Sequence, residues 1–540
     1  MKGEEDSVKG VVLEGQRLRG SWAGAPGPAK RRSRLIVASN RLPVVLGKNG
    51  EGRWSVKPGS GGLITALVPV LQERGGTWIG WPGTSNGDGD LAHAVAQAGE
   101  HFGYTLRPVM LSPAEIEGFY AGFANEVLWP LFHDLQSFCN FDSQYWQSYR
   151  EVNRRFAEAI RETATGEDLI WIHDYHLMHV AADLRKLGVQ STVGFFLHSP
   201  FPPLDIFLKL PWRTALLQGL LQCDLIGLQT LRDRRNLVQC LQFLFKGIKI
   251  QGKGQVLTAT TSDRQVRIGH FPISIDYNAF VKRAATRAVA DQGKELRDRL
   301  PEGKMILSVD RLDYTKGILC RLRAFRHALA RYPELRGRVS LLQVVVPSRV
   351  DVPEYLRLKT AIEELVGAIN GEWAQPGDWL PIWYVFGSLS ATDLIAYYRA
   401  ADIALVTPLK DGMNLVAKEY CACTIDDEGV LILSEFAGAA AQLGRSALLV
   451  NPYDTEGVAD AINRGCRMSD DQRRARMRRL RRSIRRNDVF RWADAFLRAA
   501  LAEDVNASSP ARKLRLVAGT IGDLHCFGGL DRAIRPSGMH

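Results

Sequence analysis

The chain has 540 residues, and its 46% hydrophobic, 24% charged and 9% aromatic residues are typical of a globular protein with two or more domains. A count of 70 Lys and Arg against 58 Asp and Glu gives a net charge of +12, which raises nucleic acid and anionic membranes as partners to consider. No window approaches the roughly 18 to 20 uninterrupted apolar residues of a membrane span, which argues against a membrane-embedded protein.

The first 33 residues carry an acidic cluster at residues 4–6 and a basic run at residues 30–32, without the apolar stretch of a signal peptide. The eight cysteines form no paired CxxC motifs, so the sequence predicts neither a disulfide framework nor a structural zinc site. Together these features predict a cytoplasmic protein. We expect residues 1–33 and 505–540 to be poorly ordered tails.

From residue 34 onwards, short apolar runs alternate with amphipathic segments of helix length. Continuous Val, Ile and Leu runs without period-two alternation are typical of parallel strands buried on both faces. The predicted strands form two series, namely residues 35–39, 77–80, 169–172, 193–197, 225–228 and 266–271, and then residues 305–309, 339–346, 383–386, 403–406, 430–433 and 447–450. Two series of six strands predict an α/β fold with two doubly wound, Rossmann-like domains.

The Phe-Pro-Ile-Ser-Ile-Asp stretch at residues 271–276 interrupts this rhythm and marks the predicted seam and hinge. We therefore expect an N-terminal domain over residues 34–273 and a C-terminal domain over residues 274–470. C-terminal helices over residues 471–504 are expected to cross back toward the N-terminal domain. Because ligands bind outside the carboxyl ends of parallel strands, the chemistry is expected in a deep cleft between the domains.

A glycine-rich turn at residues 59–63 precedes an apolar segment of helix length, shortly after the first predicted strand and Arg41. Backbone N–H groups at a helix N-terminus attract anions, so the turn fits a phosphate-bearing ligand. An ordinary strand-to-helix connection explains it equally well. Neither a GxGxxG fingerprint nor a Walker A loop is present, which argues against a dinucleotide oxidoreductase and a P-loop NTPase.

Polar residues follow two strands of the first series, in WIHDYH at residues 171–176 and FFLHSPFP at residues 195–202. His173, His176 and His179 recur every three residues, as some metal ligands do. The HExxH pattern of zinc enzymes is missing, so contacts to sugar hydroxyls or structural roles are favoured over metal ligation. We predict no metal and no cofactor.

In the second series, RLDYTKG at residues 311–317 follows the first strand. Arg311 and Lys316 in one loop would neutralise a diphosphate leaving group, the first through its planar fork and the second as a point charge. The alternative is a surface ion pair with Asp310 or Asp313.

A later strand of the second series runs into DGMNLVAKEY at residues 411–420. This stretch resembles a turn that opens a helix, so its N–H groups would again point at an anion. Glu419 would lie about one turn into that helix, within reach of a ribose.

The most basic segment, residues 473–486, contains nine arginines and no acid. Met477, Leu480 and Ile484 recur at helical spacing and predict a helix that packs by one apolar stripe. A duplex-binding helix is the alternative interpretation. Without these nine arginines the net charge of the chain would be 12 − 9 = +3. The positive charge is therefore concentrated in this segment, and we expect no nucleic-acid partner.

Seven sequence blocks, in order, carry a resemblance over roughly residues 34–500. They are Arg41 with the Gly-Gly-Leu turn, LWPLFH at 128–133, WIHDYH at 171–176, FFLHSPFP at 195–202, GLQT at 227–230, RLDYTKG at 311–317 and DGMNLVAKEY at 411–420. Together they resemble the trehalose-6-phosphate synthases, which are retaining glucosyltransferases with two Rossmann-like domains of the GT-B type.

The resemblance implies transfer of glucose from a nucleoside-diphosphate glucose to glucose 6-phosphate, giving α,α-trehalose 6-phosphate. It implies a reaction on the front face of the donor, in which the leaving phosphate accepts the proton of the acceptor and no metal or cofactor takes part. Uridine, adenosine and guanosine donors stay open, and so does a homo-oligomer.

The resemblance also implies the residues of the site. The implied catalytic residues are Asp174, His198, Arg311, Lys316 and Asp411. The implied donor-binding residues are Gly62, Arg311, Lys316, Asp411, Gly412, Met413, Asn414, Leu415, Val416 and Glu419. The implied acceptor-binding residues are Arg41, Trp81, Tyr120, Trp129, Asp174 and Arg349.

Two other functions stay open at this point. A sister synthase that uses glycerol 3-phosphate as acceptor shares the superfamily, but the implied acceptor residues favour glucose 6-phosphate. A catalytically inactive sensor of sugar phosphates is the other alternative, and the intact donor residues argue against it.

Overall fold

The computed structural model describes residues 34–48, 53–59, 62–85, 89–299, 303–348, 353–374 and 379–501. Its strands are β1 Leu35–Arg41, β2 Val44–Lys48, β3 Trp54–Pro58, β4 Gly76–Trp81, β5 Thr105–Pro108, β6 Leu169–His173, β7 Thr192–Phe196, β8 Leu225–Leu228, β9 Lys249–Gln251, β10 Val256–Thr260, β11 Gln265–His270, β12 Lys304–Arg311, β13 Val339–Val346, β14 Ile382–Phe386, β15 Ile403–Val406, β16 Val430–Ser434 and β17 Leu448–Val450.

The α-helices of the described residues are α1 Gly62–Arg74, α2 Gly89–Phe102, α3 Pro113–Glu115, α4 Trp129–Phe132, α5 Ser143–Thr163, α6 Val180–Lys186, α7 Leu204–Phe207, α8 Arg213–Leu220, α9 Leu231–Leu244, α10 Tyr277–Ala284, α11 Arg287–Arg299, α12 Ile318–Arg331, α13 Pro353–Trp373, α14 Ala391–Ala400, α15 Leu415–Cys423, α16 Ala440–Leu443, α17 Thr455–Cys466, α18 Asp470–Arg486 and α19 Val489–Ala500. A π-helical stretch, Ile116–Leu128, runs into α4, and short 3₁₀ turns cover Gln136–Phe138, Tyr175–Leu177, Tyr314–Lys316 and Pro333–Leu335. None of the described helices is both long and apolar enough to cross a membrane.

In the described part of the chain, nine strands form one sheet in the order β5-β4-β1-β6-β7-β8-β11-β10-β9. The strands from β5 to β11 run parallel, whereas β10 and β9 extend the edge in antiparallel fashion. Strands β6 and β7 are buried almost along their whole length because apolar residues point to both faces. We call the elements around this sheet the N-terminal half.

The second sheet of the described residues has six parallel strands in the order β14-β13-β12-β15-β16-β17. The elements around it form the C-terminal half. In both sheets the strand order reverses once, between β1 and β6 in the first and between β12 and β15 in the second. This is the doubly wound arrangement, whose ligands bind at the point of reversal.

The predicted α/β fold with two doubly wound sheets is confirmed, and each of the twelve predicted strands is present. The prediction missed β5, the hairpin of β2 and β3, and the edge strands β9 and β10, which are partly exposed and lack continuous apolar runs. The predicted domain boundaries after residues 273 and 470 stay predictions. The predicted tails at residues 1–33 and 505–540 lie outside the described residues.

The arginine-rich helix α18 packs on the C-terminal half, against α15, α16 and β16. Its buried stripe consists of Met477, Leu480 and Ile484, as the helical spacing predicts. Several of its arginines form ion pairs with acids of the loop before β16: Arg474 pairs with Glu428, and Arg478 and Arg481 both pair with Asp427. Part of the basic face is thus neutralised within the fold.

The last helix of the described residues, α19, lies on the sheet of the N-terminal half. The Phe496 ring stacks on Trp171 of β6 with 4.2 Å between ring centres and 3° between planes. Gly194 and Gly227 make room for that ring, because a Cβ at either position would lie within 2.9 Å of it. The Arg267 guanidinium also donates to the last carbonyl groups of the helix. Helix α19 therefore completes the core of the N-terminal half.

Replacing Phe496 by Ala should destabilise the protein by about 3–5 kcal/mol, since it removes a fully buried ring that the sheet cannot collapse to fill. Chemical denaturation followed by tryptophan fluorescence measures this loss. The control is Phe243→Ala, which removes a ring that is 60% exposed on α9 and should change stability by about 0.5 kcal/mol or less. Equal effects of the two substitutions would contradict the docked position of α19.

Candidate active site

Two loops of the C-terminal half meet where its strand order reverses, between β12 and β15. Strand β12 ends at Arg311 and leads into the turn Tyr314–Lys316, while residues 407–414 connect β15 to α15. The Lys316 ammonium donates a hydrogen bond of 2.7 Å to the Asp411 carboxylate across these loops. Both side chains are largely buried, so the pair marks the centre of the C-terminal side of the site.

The Asp411 carboxylate is held ionised by its surroundings. Burial opposes ionisation, but the charge and hydrogen bond of Lys316 outweigh it and lower the pKa of Asp411 below its usual value. The Met413 N–H and the Asn414 amide also donate to this carboxylate, at 3.2 and 3.3 Å. Asn414 in turn caps α15 by accepting from the Ala417 N–H at 3.1 Å. The carboxylate and the start of α15 are thus fixed together.

A buried guanidinium supports both loops from below. Arg321 is 1% exposed, and it donates to the Lys316 carbonyl at 3.1 Å and to the Thr407 hydroxyl at 2.9 Å. Its charge is balanced by Asp310 at 2.6 Å. The Arg311 guanidinium lies 4.0 Å from the Asp313 carboxylate, the outer limit of an ion pair, which was the alternative interpretation of this loop. Sequence reasoning missed Arg321, because nothing in its helical segment distinguishes a buried arginine from a surface one.

The two halves touch where the backbone of His198 and Ser199, in the N-terminal half, packs against Gly412. The Asp174 carboxylate accepts the N–H groups of His198 at 3.1 Å and Ser199 at 3.3 Å. Burial raises its pKa to about 6. A Cβ at Gly412 would lie 2.1 Å from the His198 carbonyl oxygen, so only glycine allows this approach. Four predicted site residues therefore lie in one region. They are the predicted catalytic residues Asp174, His198 and Asp411 and the predicted donor residue Gly412.

The histidines at the strand ends point in different directions. The His173 Nδ1 atom lies 3.1 Å from His198 Nε2, and burial lowers the pKa of His198 to about 3, so this pair shares a hydrogen bond in its neutral form. His179 instead contacts Asp183 at 3.2 Å. Over the described ranges, no group of three or more His, Cys, Asp or Glu side chains is arranged to hold a metal ion.

A cation–aromatic cluster lies beside the reversal point of the first sheet. Arg41 ends β1, and its guanidinium carbon lies 4.2 Å from the centre of the Trp81 ring and 5.9 Å from that of Tyr120. Gly83 leaves space for the guanidinium, since a Cβ there would meet it at 1.6 Å. Tyr120 itself is carried by the π-helical stretch. A guanidinium flanked by two rings can bind a phosphate and stack on a sugar.

Trp129 and His133 form a second aromatic pair in the N-terminal half, close enough to the charged pair for its charges to act on His133. Their rings lie 4.1 Å apart, and the His133 Nδ1 atom is 2.7 Å from the Trp129 carbonyl oxygen. Burial lowers the pKa of His133 to about 4, while the charges of Asp313, Lys316 and Asp411 act on the same imidazole from the other half. Sequence reasoning missed His133 as a site residue, although it closes the LWPLFH block.

The remaining predicted residues are spread around this centre. Met413, Asn414, Leu415 and Val416 lie at the junction of the 407–414 loop and α15, and Gly62 opens α1. Glu419 is buried on α15, where its carboxylate accepts from the Tyr398 hydroxyl at 2.9 Å. Arg349 lies outside the described residues. The assigned roles of all these residues stay predictions.

Glu419 should make stability depend on pH. Burial raises its pKa from 4.5 to about 7, so between these values unfolding releases a proton that the fold retains. Stability is then lost as the pH rises through this window, by up to about 3 kcal/mol. Glu419→Gln should unfold at a higher temperature than wild type near pH 8 and at almost the same temperature near pH 4. Thermal denaturation across this range measures the difference.

Glu435→Gln is the matched control, because it changes an exposed carboxylate of the same half. It should follow the wild-type curve at every pH. A difference between wild type and Glu419→Gln that does not vary with pH would contradict the expected retention of the Glu419 proton.

The fold and the site together define the class of protein. Two doubly wound sheets present their reversal points to one another, with a lysine–carboxylate pair and a helix N-terminus on one side and a cation–aromatic cluster on the other. This is the architecture of a GT-B glycosyltransferase. The chain belongs to glycosyltransferase family 20, whose model matches residues 33–502.

Relatives and solved structures agree with this family. The trehalose-6-phosphate synthase of Mycolicibacterium gilvum is 43% identical over 502 residues, which cover 91% of this chain and 98% of that protein. A UDP-forming trehalose-phosphate synthase from Burkholderia xenovorans, solved with glucose-6-phosphate, is 34% identical and covers 87% of this chain and all of its own, with a TM-score of 0.77. The Escherichia coli enzyme bound with UDP-2-fluoro glucose is 35% identical over 87% of this chain and 99% of its own, with a TM-score of 0.76.

Proposed function

We propose that the protein transfers glucose, with retention, from uridine diphosphate glucose to glucose 6-phosphate and releases α,α-trehalose 6-phosphate and uridine diphosphate. The observation that carries this proposal is the Lys316–Asp411 pair of the C-terminal half, which stands next to Gly412 where that glycine packs against the His198 carbonyl of the N-terminal half. The family supports the reaction, and the UDP-forming relatives support uridine over adenosine and guanosine.

The donor would lie on the C-terminal half. Lys316 and Arg311 would hold the diphosphate, which develops negative charge as the bond to glucose breaks. The first N–H groups of α15 point at the same region and add the positive end of the helix dipole. Asp411 would bind hydroxyls of the transferred glucose, and Glu419 those of the ribose. Glu419 is suited to this contact because it already accepts a hydroxyl hydrogen bond from Tyr398.

The acceptor would lie on the N-terminal half. Arg41, Tyr120 and Arg349 would receive the phosphate of glucose 6-phosphate. Trp81 would line the sugar pocket, a role suited to a ring held against the Arg41 guanidinium. Trp129 would close the pocket next to the donor loops, where it packs on His133.

Asp174 would orient the acceptor hydroxyl that attacks the glucose. One of its carboxylate oxygens is occupied by the His198 and Ser199 N–H groups, which fix the side chain while it receives the sugar. His198 is neutral and stands beside Gly412, so it would contact the transferred glucose without placing a second charge there. The leaving phosphate would take the proton of the attacking hydroxyl, so no separate base is required.

The test is an activity matrix that pairs the uridine, adenosine and guanosine diphosphate glucoses with glucose 6-phosphate and with glycerol 3-phosphate. We expect nucleotide release with uridine diphosphate glucose and glucose 6-phosphate, an α,α-linked product by NMR, and an unchanged rate in EDTA. Turnover with glycerol 3-phosphate alone would favour the sister synthase. Binding of sugar phosphates without turnover for any donor would favour a sensor.

We also propose a cytoplasmic location. The seven cysteines within the described residues are all unpaired thiols, which suits a reducing compartment. Small-molecule substrates are the proposed partners, without nucleic acid, because the arginines of α18 are partly engaged in ion pairs. A homo-oligomer stays open.

A further inference from the structure

A short segment after α4 reaches from the N-terminal half to the C-terminal half and touches it at two points. The Asp134 carboxylate lies 2.6 Å from the Lys410 ammonium. Four residues later, the Phe138 ring stacks on Tyr314 with 5.0 Å between ring centres and 9° between planes. We call residues 134–138 the bridging segment.

Both contacts fall on the loops that carry the charged pair of the site. Tyr314 opens the 3₁₀ turn that ends with Lys316, and Lys410 directly precedes Asp411. The bridging segment therefore holds one loop by an aromatic ring and the other by an ion pair. The charges of Lys316 and Asp411 act on the imidazole of His133, the residue directly before the segment. The segment is thus placed to set the distance between the two halves at the site.

Asp134 has a backbone conformation that most side chains disfavour. Helix α4 ends in a Schellman motif, in which the Leu135 N–H donates to the Pro130 carbonyl at 2.9 Å and the Asp134 N–H to the Leu131 carbonyl at 3.2 Å. Asp134 occupies the left-handed position of this motif, with φ of 59°, where glycine is the usual residue. A carboxylate there costs backbone strain, and its contact is the ion pair to Lys410.

Lys410 is enclosed by the N-terminal half. Its side chain is 14% exposed, and burial lowers its pKa while the charges of Asp134 and Asp233 act in the opposite direction. Phe138 provides a complementary observation. Its ring is 47% exposed, so burial in a core does not account for an aromatic residue at this position, whereas the stack on Tyr314 does.

We propose that Asp134 and Phe138 are positioning residues. They clamp two loops of the C-terminal half, residues 311–317 and 407–414, onto the N-terminal half, so that Lys316 and Asp411 face the acceptor pocket at the reacting distance. The inference rests on the proposed glucosyl transfer. It adds two residues that act through the loops and not by touching either substrate.

Asp134→Gly separates this role from a structural one. Glycine relaxes the left-handed backbone, so the melting temperature should not fall, while loss of the carboxylate should lower kcat by roughly tenfold because the loops are misplaced. Phe138→Ala should have a similar effect on kcat. The KM for glucose 6-phosphate should change by less than about twofold in both, since the acceptor pocket lies on the N-terminal half. Phe243→Ala, which removes a ring that is 60% exposed on α9, should keep wild-type kinetics.

Salt distinguishes the two contacts. Raising KCl from about 0.05 M to about 0.5 M should lower kcat less in Asp134→Asn than in wild type, because the screened ion pair is already absent. Phe138→Ala should retain the wild-type salt response. Kinetic constants of Asp134→Gly and Phe138→Ala that match those of Phe243→Ala would overturn the inference.

Hydrogen exchange tests the clamp without any reaction. Amides of residues 311–317 and 407–416 should exchange faster in the Asp134→Gly, Phe138→Ala double variant than in wild type and in Phe243→Ala. Unchanged exchange would overturn the clamp even if the enzyme is active. Absence of turnover in the wild type with every donor would overturn the proposed function alone, and the exchange result would still decide the clamp.

Discussion

Lys316→Ala should reduce kcat by about a thousandfold, because it removes the cation that opposes the developing charge of the leaving diphosphate. The substitution also leaves Asp411 buried without its ammonium partner, so the pKa of that carboxyl should rise. The fold should be retained, since the Lys316 side chain projects into the cleft region and not into either core. Steady-state kinetics measures the loss of kcat, and circular dichroism checks that the fold is retained.

Lys359→Ala is the matched control. Lys359 lies on α13 and forms an ion pair of the same length with Glu363, 2.7 Å from ammonium to carboxylate, on the surface of the C-terminal half. Its loss should leave kcat unchanged. A Lys316→Ala enzyme that turns over within tenfold of this control would show that the diphosphate is stabilised elsewhere.

Gly412→Ala should lower kcat/KM by about a hundredfold without unfolding either half. The added methyl group would lie 2.1 Å from the His198 carbonyl, so the halves must separate or the 407–414 loop must move. Either response shifts Asp411, the residue directly before Gly412, relative to the N-terminal half. The measurement is kcat/KM for both substrates, together with small-angle scattering for a change in overall dimensions.

Gly367→Ala provides the comparison for this substitution. A Cβ at Gly367, on α13, would meet nothing within 4 Å, so the change should leave activity intact and raise helix stability slightly. If Gly412→Ala were as active as Gly367→Ala, the close approach of the two halves would have no part in the reaction.

The strands were predictable because the sheets are buried on both faces. A run such as Val-Ser-Leu-Leu-Gln-Val-Val-Val in β13 is apolar on both sides and needs no partner to be recognised. Strands β9 and β10 are short, partly exposed and set at an edge, so their residues carry no comparable pattern. The hairpin of β2 and β3 escaped the prediction for the same reason.

The site was predictable only in part. Arg41, Asp174 and Lys316 lie at or just after the carboxyl ends of strands beside a reversal point, which is why sequence blocks and general rules for parallel sheets point to them. Contacts between distant positions carry no such signal. Arg321 reaches Thr407, and Asp134 reaches Lys410, across 86 and 276 positions of the chain. Only the folded geometry brings these residues together.

The position of α19 has a consequence for synthesis on the ribosome. The sheet onto which Phe496 docks is complete once β11 emerges, but residues 271–488 must be made before the helix that covers it. At about 5–20 residues per second this takes on the order of 10 to 40 s. During that interval the Trp171 ring and the groove beside Gly194 and Gly227 face the cell uncovered. The nascent N-terminal half is therefore expected to be a chaperone client until α19 arrives.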